Sequence, residues 1–492
     1  MRSRAVRVWS IKTNTGASGR KTKKSYTVRW TVAGLEKSKT YATRALADNF
    51  RSDLMQAQNR GEMFDTESGL PDSMTQVKEA MTWLAFAEAY LSMKWPGAAA
   101  KSRTSLVEAL VTVTPVLVRD LPGRPDVELL RTALRDYVLP PNMRNAELPA
   151  ALVPAVGWLR RASLPLTELV EASTVRAGLE ALALKLDGKP AAATTARRKR
   201  SVFYNALQYA VELEALDYNP VDKLRVRSQR KKIAQVVDRR VVINQRQALE
   251  LLTAVSYVGR RGSVGRGERL VAFFACMYFG ALRPGEALGL REQDCHLPAS
   301  CLDCGADLTI TWTSIPGCSH NRIEYGWGRL TLEKNRPQSG KRWTDNGTAH
   351  DERGLKHRAE DEARAVPIPP PLVGLLRRHI ARFGVADDGR LFRSERGNVV
   401  GASTYSRIWD EARRLALSPR QVDSPLAGRP YDLRHAAVSL WLNAGVQAPE
   451  VADRAGHSVE VLLKVYAKCI DGQEATVNRR IEEALGSLPW VA

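Results

Sequence analysis

Cysteine is scarce in this chain. Six in 492 residues do not make a disulfide scaffold, so a reducing, cytoplasmic setting is expected. Long apolar runs are also missing. The longest, Leu270 to Leu282, falls short of the roughly 20 residues a membrane span needs and reads as a buried helix. The opening MRSRAVRVWSIK has no apolar stretch of the kind a secretory signal carries. Acidic residues are in deficit, 53 Asp and Glu against 74 Lys and Arg, giving a net charge of +21. Such an excess favours a polyanion, and with no membrane segment in view nucleic acid is the better partner. What is present suffices for folding: 44% hydrophobic residues exclude a disordered polymer. The length calls for roughly two to four domains.

Residues 1–60 hold 14 Lys and Arg against 3 Asp and Glu. Alternation over Val6–Ile11, Ser25–Val32 and Lys39–Tyr41 predicts three strands, with turns at Gly16–Gly19 and Ala33-Gly34 and a helix over 44–59. A domain over 1–65 with Arg29 and Lys39 on a basic sheet suits a DNA groove. Residues 61–76 read as a linker, and 77–235 as nearly all helix. Within it Arg197, Arg198, Lys199 and Arg200 open a strong amphipathic helix. Residues 191–240 carry 12 basic and 5 acidic side chains. Phosphate contacts from such a helix give affinity without reading sequence. A single charge run is as readily a solvated face. Residues 115–149 are irregular and suggest no role.

From 238 onward the character changes. The apolar run ends in Ala281-Leu282-Arg283-Pro284-Gly285-Glu286. A guanidinium so placed needs an acceptor: a phosphate with Glu286 steadying the fork, or simply a surface Arg–Glu pair. Residues 353–369 read as a hairpin, with Lys356 on the outgoing strand, a turn at 359–362, and Arg364, Val366 and Ile368 alternating on the return. Between them lie Cys301-x-x-Cys304 and Cys318-x-His320, donor types and spacing that suit a structural zinc. A loop with incidental cysteines fits as well. The stretch from Pro430 to Cys469 predicts three short helices, stopped at Asn443-Ala444-Gly445 and at Gly456, with Ser458 capping the third. Arg434, His457 and Tyr466 stand at its punctuation points rather than at core spacings.

Tyr431-x-x-Arg434, then Gly456-His457, then Tyr466 nine residues after that histidine, resembles the C-terminal box of tyrosine recombinases, the phage-integrase family. Tyr431 stands where most members have histidine. Arg283 with Glu286 resembles the family's first arginine box, Lys356 its hairpin lysine, and residues 1–65 its small arm-site domain. The resemblance covers residues 190–486 best, and 295–325 reads as an insertion. It implies a multidomain, mainly α fold with small β-sheets: an N-terminal β–α domain (1–65), a helical core-binding clamp (77–235) and a mixed α/β catalytic domain (238–492). It implies a site-specific recombinase that needs no cofactor for catalysis. Two guanidinium forks, Arg283 and Arg434, would hold the phosphate oxygens. His457 would orient the phosphate, Lys356 would protonate the leaving 5′-oxygen, and Tyr466 would form a 3′-phosphotyrosyl bond. General-base duty falls to Tyr431 or the neighbouring His435. The partners implied are double-stranded attachment sites, a homotetramer on DNA, and accessory bending or directionality factors, in a bacterial cytoplasm. Integration and excision of a phage or mobile element is the leading reading. Chromosome-dimer resolution, and a non-cleaving DNA-binding regulator of the same fold, are the rivals.

Overall fold

A computed structural model describes residues 2–18, 21–74, 81–224, 237–261, 264–309, 322–356, 362–466 and 474–485. The chain divides into two compact units at Lys231/Lys232, apart from Ala99–Lys101, which group with the second.

In the first unit the long strand Lys21–Val32 pairs antiparallel with Val6–Val8, Lys12–Ser18 and Leu35–Tyr41, giving four strands rather than the expected three. Alternation sends Val28, Trp30 and Val32 inward, against Ala47, Phe50 and Leu54 of the helix Arg44–Asn59. The stretch expected to be a linker folds back instead. Phe64–Asp65 pairs with Arg2–Ser3, Phe64 is buried, and the Trp30 indole N–H donates to the Gly69 carbonyl (2.6 Å). A buried indole N–H requires such an acceptor. Helices follow, among them Trp83–Lys94, Val153–Ala162, Ala172–Ala183 and Ala193–Glu212, with Trp83 edge-on to Phe203 (5.6 Å) in their core. The irregular middle has a structural use: Glu108 is gripped by Arg131 and Arg135, 2.7 Å each.

The second unit is built on Val271–Phe279, the apolar helix, which is buried on nearly all sides. Packed in the same core are Gln245–Tyr257, Pro370–Phe383, Ala402–Ala416 and Asp432–Asn443. A small antiparallel sheet places Gly328–Leu332 between Cys295–His296 and Arg364–Ile368. The predicted hairpin is paired differently. The return strand Arg364–Ile368 lies on Gly328–Leu332, while Arg353–Gly354 pairs with Lys334–Asn335. Residues 357–361, most of the expected turn, lie outside the described residues. A second, smaller core gathers Ala437, Val438, Leu442, Val451, Ala455, Leu462 and Tyr466 from three short helices. These are Asp432–Asn443, Ala448–Ala455 and Val459–Tyr466, the three expected from the sequence. Among the described residues no helix is long and apolar enough to cross a membrane.

Candidate active site

The site is organised by the end of the helix Ala448–Ala455. The last carbonyls of a helix lack intrahelical donors and carry the negative end of its dipole. Here three arginines supply the donors. Arg283 Nη2 donates to the Gly456 carbonyl (2.8 Å), Arg364 Nη1 to that of Ala455 (3.4 Å), and Arg434 Nη2 also to Ala455. Gly456 closes the helix in the left-handed region, at φ +62°. A Cβ there would lie 1.9 Å from Arg364 Nη1, so glycine is required twice, by backbone and by space.

Arg283 follows the apolar helix and begins the short helix Pro284–Gly289. Its backbone N–H and its Nη1 both donate to the Glu286 carboxylate, at 2.8 and 2.6 Å. Arg364 Nη2 donates to the same carboxylate at 2.7 Å, with both side chains 1% exposed. Burial alone would raise the Glu286 carboxyl, but Arg364, Arg283 and Arg434 outweigh it and hold its pKa at about 2. The surface Arg–Glu pair considered from sequence is therefore largely buried, with Arg283 15% and Glu286 1% exposed. Arg434 is fully buried; its Nη1 donates to the Ala281 carbonyl, and Ala281 itself sits at φ 51°.

Arg434 Nη2 also lies 2.8 Å from His457 Nε2. A guanidinium has no acceptor, so His457 Nε2 must accept and the ring proton sits on Nδ1. That Nδ1–H is buried with no hydrogen-bond partner among the described residues, and the same holds for Arg434 Nε and Arg364 Nε. Burial, then Arg434, Arg283 and Arg364, lowers His457 to about 3, so it is neutral near pH 7. The cluster thus gathers three guanidinium groups round a single carboxylate, two of them bonded to it and Arg434 to carbonyls, and leaves buried N–H donors open. An anion would complete it.

Tyr466 ends the helix Val459–Tyr466, its ring 0% exposed and stacked on His457 (6.1 Å between centroids). Its hydroxyl is 2.8 Å from His435 Nδ1. Tyr431 stands edge-on to His435 (5.1 Å) and beside Arg283. Arg283, Glu286, Tyr431, Arg434, His435, His457 and Tyr466 are therefore all brought together.

Lys356 is not. It is exposed, in a turn two residues after Gly354, and among the described residues no hydrogen bond or ion pair links it to the cluster. Lys334, on the strand that pairs with Arg353–Gly354, is bound to Glu352 (2.6 Å). Arg364 is the site residue that the sequence reading misses. The available signal is its alternation with Val366 and Ile368, which puts it on the inward face.

Of the expected DNA contacts, Arg29 lies on the open face of the N-terminal sheet, over Trp9. Lys39 pairs with Val28 in register, so it points to the helix side, where it meets Glu214 (3.1 Å) and Phe50. That placement takes Lys39 off the open face of the sheet that carries Arg29. Arg197, Arg198 and Arg200 are exposed, but Lys199 turns inward to Thr112 Oγ1 (2.9 Å). Cys301 ends the strand Ala299–Cys301 and Cys304 follows in a tight turn closed by Gly305 N–H to the Cys301 carbonyl (2.8 Å). Cys318 and His320 lie outside the described residues.

No protein-family model matches the chain, and no curated protein sequence does. Solved structures are similar to it. The integrase of the Tn1549 transposon, in complex with a circular intermediate DNA, has a TM-score of 0.43 at 14% identity over 72% of this chain and 98% of its own. The XerH site-specific recombinase bound to difH has 0.42 at 11%, over 77% and 93%. A lambda integrase dimer bound to a COC′ core site has 0.45 at 13%, over 91% and 93%.

Proposed function

We propose that this chain is a tyrosine recombinase that cuts and rejoins DNA through a 3′-phosphotyrosyl intermediate. The observation that supports this best is the cluster of Arg283 and Arg364 on one buried carboxylate with Arg434 on the adjoining carbonyls, next to a buried phenol. A phosphodiester carries one negative charge and gains another as the phosphorus becomes five-coordinate. A preformed set of guanidinium and imidazole donors stabilises the second more than the first. Arg283 and Arg434 hold the non-bridging oxygens and His457 donates through Nδ1. Tyr466 attacks phosphorus, the bond to the 5′-oxygen breaks, and Lys356 protonates that oxygen. Lys356 reaches the site when DNA is bound. A 5′-hydroxyl then reverses the steps on a new partner strand.

DNA is gripped by Arg29 and by Arg197, Arg198 and Arg200 through phosphates, over domains 1–65 and 77–235. The biological reaction is integration and excision of a mobile element at attachment sites, by a homotetramer with accessory factors, in the bacterial cytoplasm. Cys301 and Cys304, with Cys318 and His320, hold a structural zinc. Among the described residues the buried core at this insertion is Ala299, Cys301 and Leu308, small enough that a metal staple fits its need. Zinc content of the purified protein, with Cys301→Ser as control, tests this; native protein without zinc ends it.

The central test is a nicked suicide duplex carrying the attachment sequence mapped from DNA flanking the gene, incubated in EDTA. A covalent adduct that Tyr466→Phe abolishes is expected. Failure of the wild-type chain to form any adduct would overturn the reading.

A further inference from the structure

The geometry points to His435 as the group that takes the proton of Tyr466 during strand cleavage and returns it during rejoining. This rests on the recombinase reading and assigns the group that serves as base. His435 Nδ1 is 2.8 Å from the Tyr466 hydroxyl, the distance of a hydrogen bond along which a proton can move.

The two other candidates are already committed. His457 presents its Nε2 lone pair to Arg434 and carries its proton on Nδ1, so it has no free lone pair to offer. Tyr431 is a phenol beside the Arg283 guanidinium, and a neutral phenol is a far weaker base than an imidazole. His435 alone of the three turns a ring nitrogen to the nucleophile.

Its surroundings keep it ready. On its own helix and the preceding turn stand Asp432, Arg434, Arg429 and Tyr431; from the other side Tyr466 and His457 face it. Burial first, then Arg429 and Arg434 against the opposing Asp432, lowers His435 to about 4, so it is unprotonated near pH 7. A docking phosphate brings negative charge beside Arg434 and offsets that depression when the proton must be accepted.

The step balances. The Tyr466 O–H proton moves to His435 Nδ1, and the freed oxygen pair forms the bond to phosphorus. The bond from phosphorus to the 5′-oxygen breaks, and that oxygen is protonated by the Lys356 ammonium. On rejoining, the attacking 5′-hydroxyl gives its proton to the Lys356 amine, its oxygen bonds phosphorus, the bond to Tyr466 breaks, and the His435 imidazolium reprotonates the departing phenolate.

Single-turnover cleavage of the same nicked duplex tests it. His435→Ala is expected to lose about 10²-fold in rate. Its residual rate should climb with pH as the phenol ionises unaided. His435→Gln keeps an acceptor for the hydroxyl but cannot take a proton, so it should be as slow as alanine; recovery by glutamine would mean positioning and overturn the proposal. A duplex whose bridging 5′-oxygen is replaced by sulfur needs no leaving-group proton. It should rescue Lys356→Ala and leave His435→Ala slow. Without DNA, nitrogen NMR of histidine-labelled full chain should find the His435 Nδ1 unprotonated near neutral pH; a protonated Nδ1 would refute the assignment. If His435→Ala cleaves at the wild-type rate while Tyr466→Phe does not, this inference falls and the recombinase reading stands. If the wild-type chain never cleaves, the recombinase reading falls first.

Discussion

The arginines of this chain fall into two populations held by opposite physics. Arg29, Arg197, Arg198 and Arg200 stand on open surfaces, where water solvates them. Arg283, Arg364 and Arg434 lie in the second unit among carbonyls and one carboxylate, with Arg364 2% and Arg434 0% exposed. An exposed guanidinium costs the fold nothing and acts through a field that salt screens. A buried one survives because carbonyls and a carboxylate accept most of its N–H groups, and its position is fixed before a ligand arrives. The first kind acts on any polyanion through a diffuse field, the second offers a fixed site to a single anion.

The sharpest way to break this contrast is Glu286→Ala. It leaves Arg283 and Arg364 without their counter-charge, and a loss of about 3–5 kcal/mol is expected, read as a lower denaturant midpoint. Gly456→Ala should come next, at about 1–3 kcal/mol, because a Cβ meets Arg364 Nη1 at 1.9 Å on a left-handed backbone.

Acid should weaken the buried population in two stages. His457 and His435 are neutral in the fold, with pKa values of about 3 and about 4 against the ordinary 6.5. The unfolded chain therefore binds more protons below about pH 6.5, and stability falls from there downward. Glu286, at about 2 against 4.5, contributes stability above its unfolded value that is lost as pH drops towards 2. Unfolding midpoints measured down that range should fall, and His435→Gln should flatten the upper stage.

The exposed population should respond the other way. Replacing Arg197, Arg198 and Arg200 by alanine should change stability by less than about 0.5 kcal/mol each. It should instead flatten the dependence of DNA affinity on salt, by about 0.9 in log–log slope for each phosphate no longer neutralised. The smallest effect on DNA binding is expected at Lys39→Ala, since that amine faces Glu214 and Phe50, whereas Arg29→Ala should weaken binding.

Much of the second unit is legible in the sequence because local rules and tertiary structure agree there. The three helices around Arg434, His457 and Tyr466 have stops at Gly445 and Gly456, and Ser458 Oγ accepts from the Val461 N–H (3.2 Å), each foreshadowed by residue type. The stretch 61–74 reads as a linker because it is polar. Its two anchors, Phe64 in a core and the Gly69 carbonyl under Trp30, are long-range partners that composition does not reveal. The hairpin differs from expectation for a similar reason: strand pairing is chosen by Gly328–Leu332, far off in sequence. Arg364 escapes a sequence reading because its importance lies in Glu286, 78 positions away.

One consequence follows from the three side chains that share the carboxyl end of Ala448–Ala455. Because Gly456 and Ala455 receive all of them, that short helix works as a common mount. Loss of that one turn would withdraw a carbonyl partner from three guanidinium groups at once, although each of them is carried on a different helix or strand.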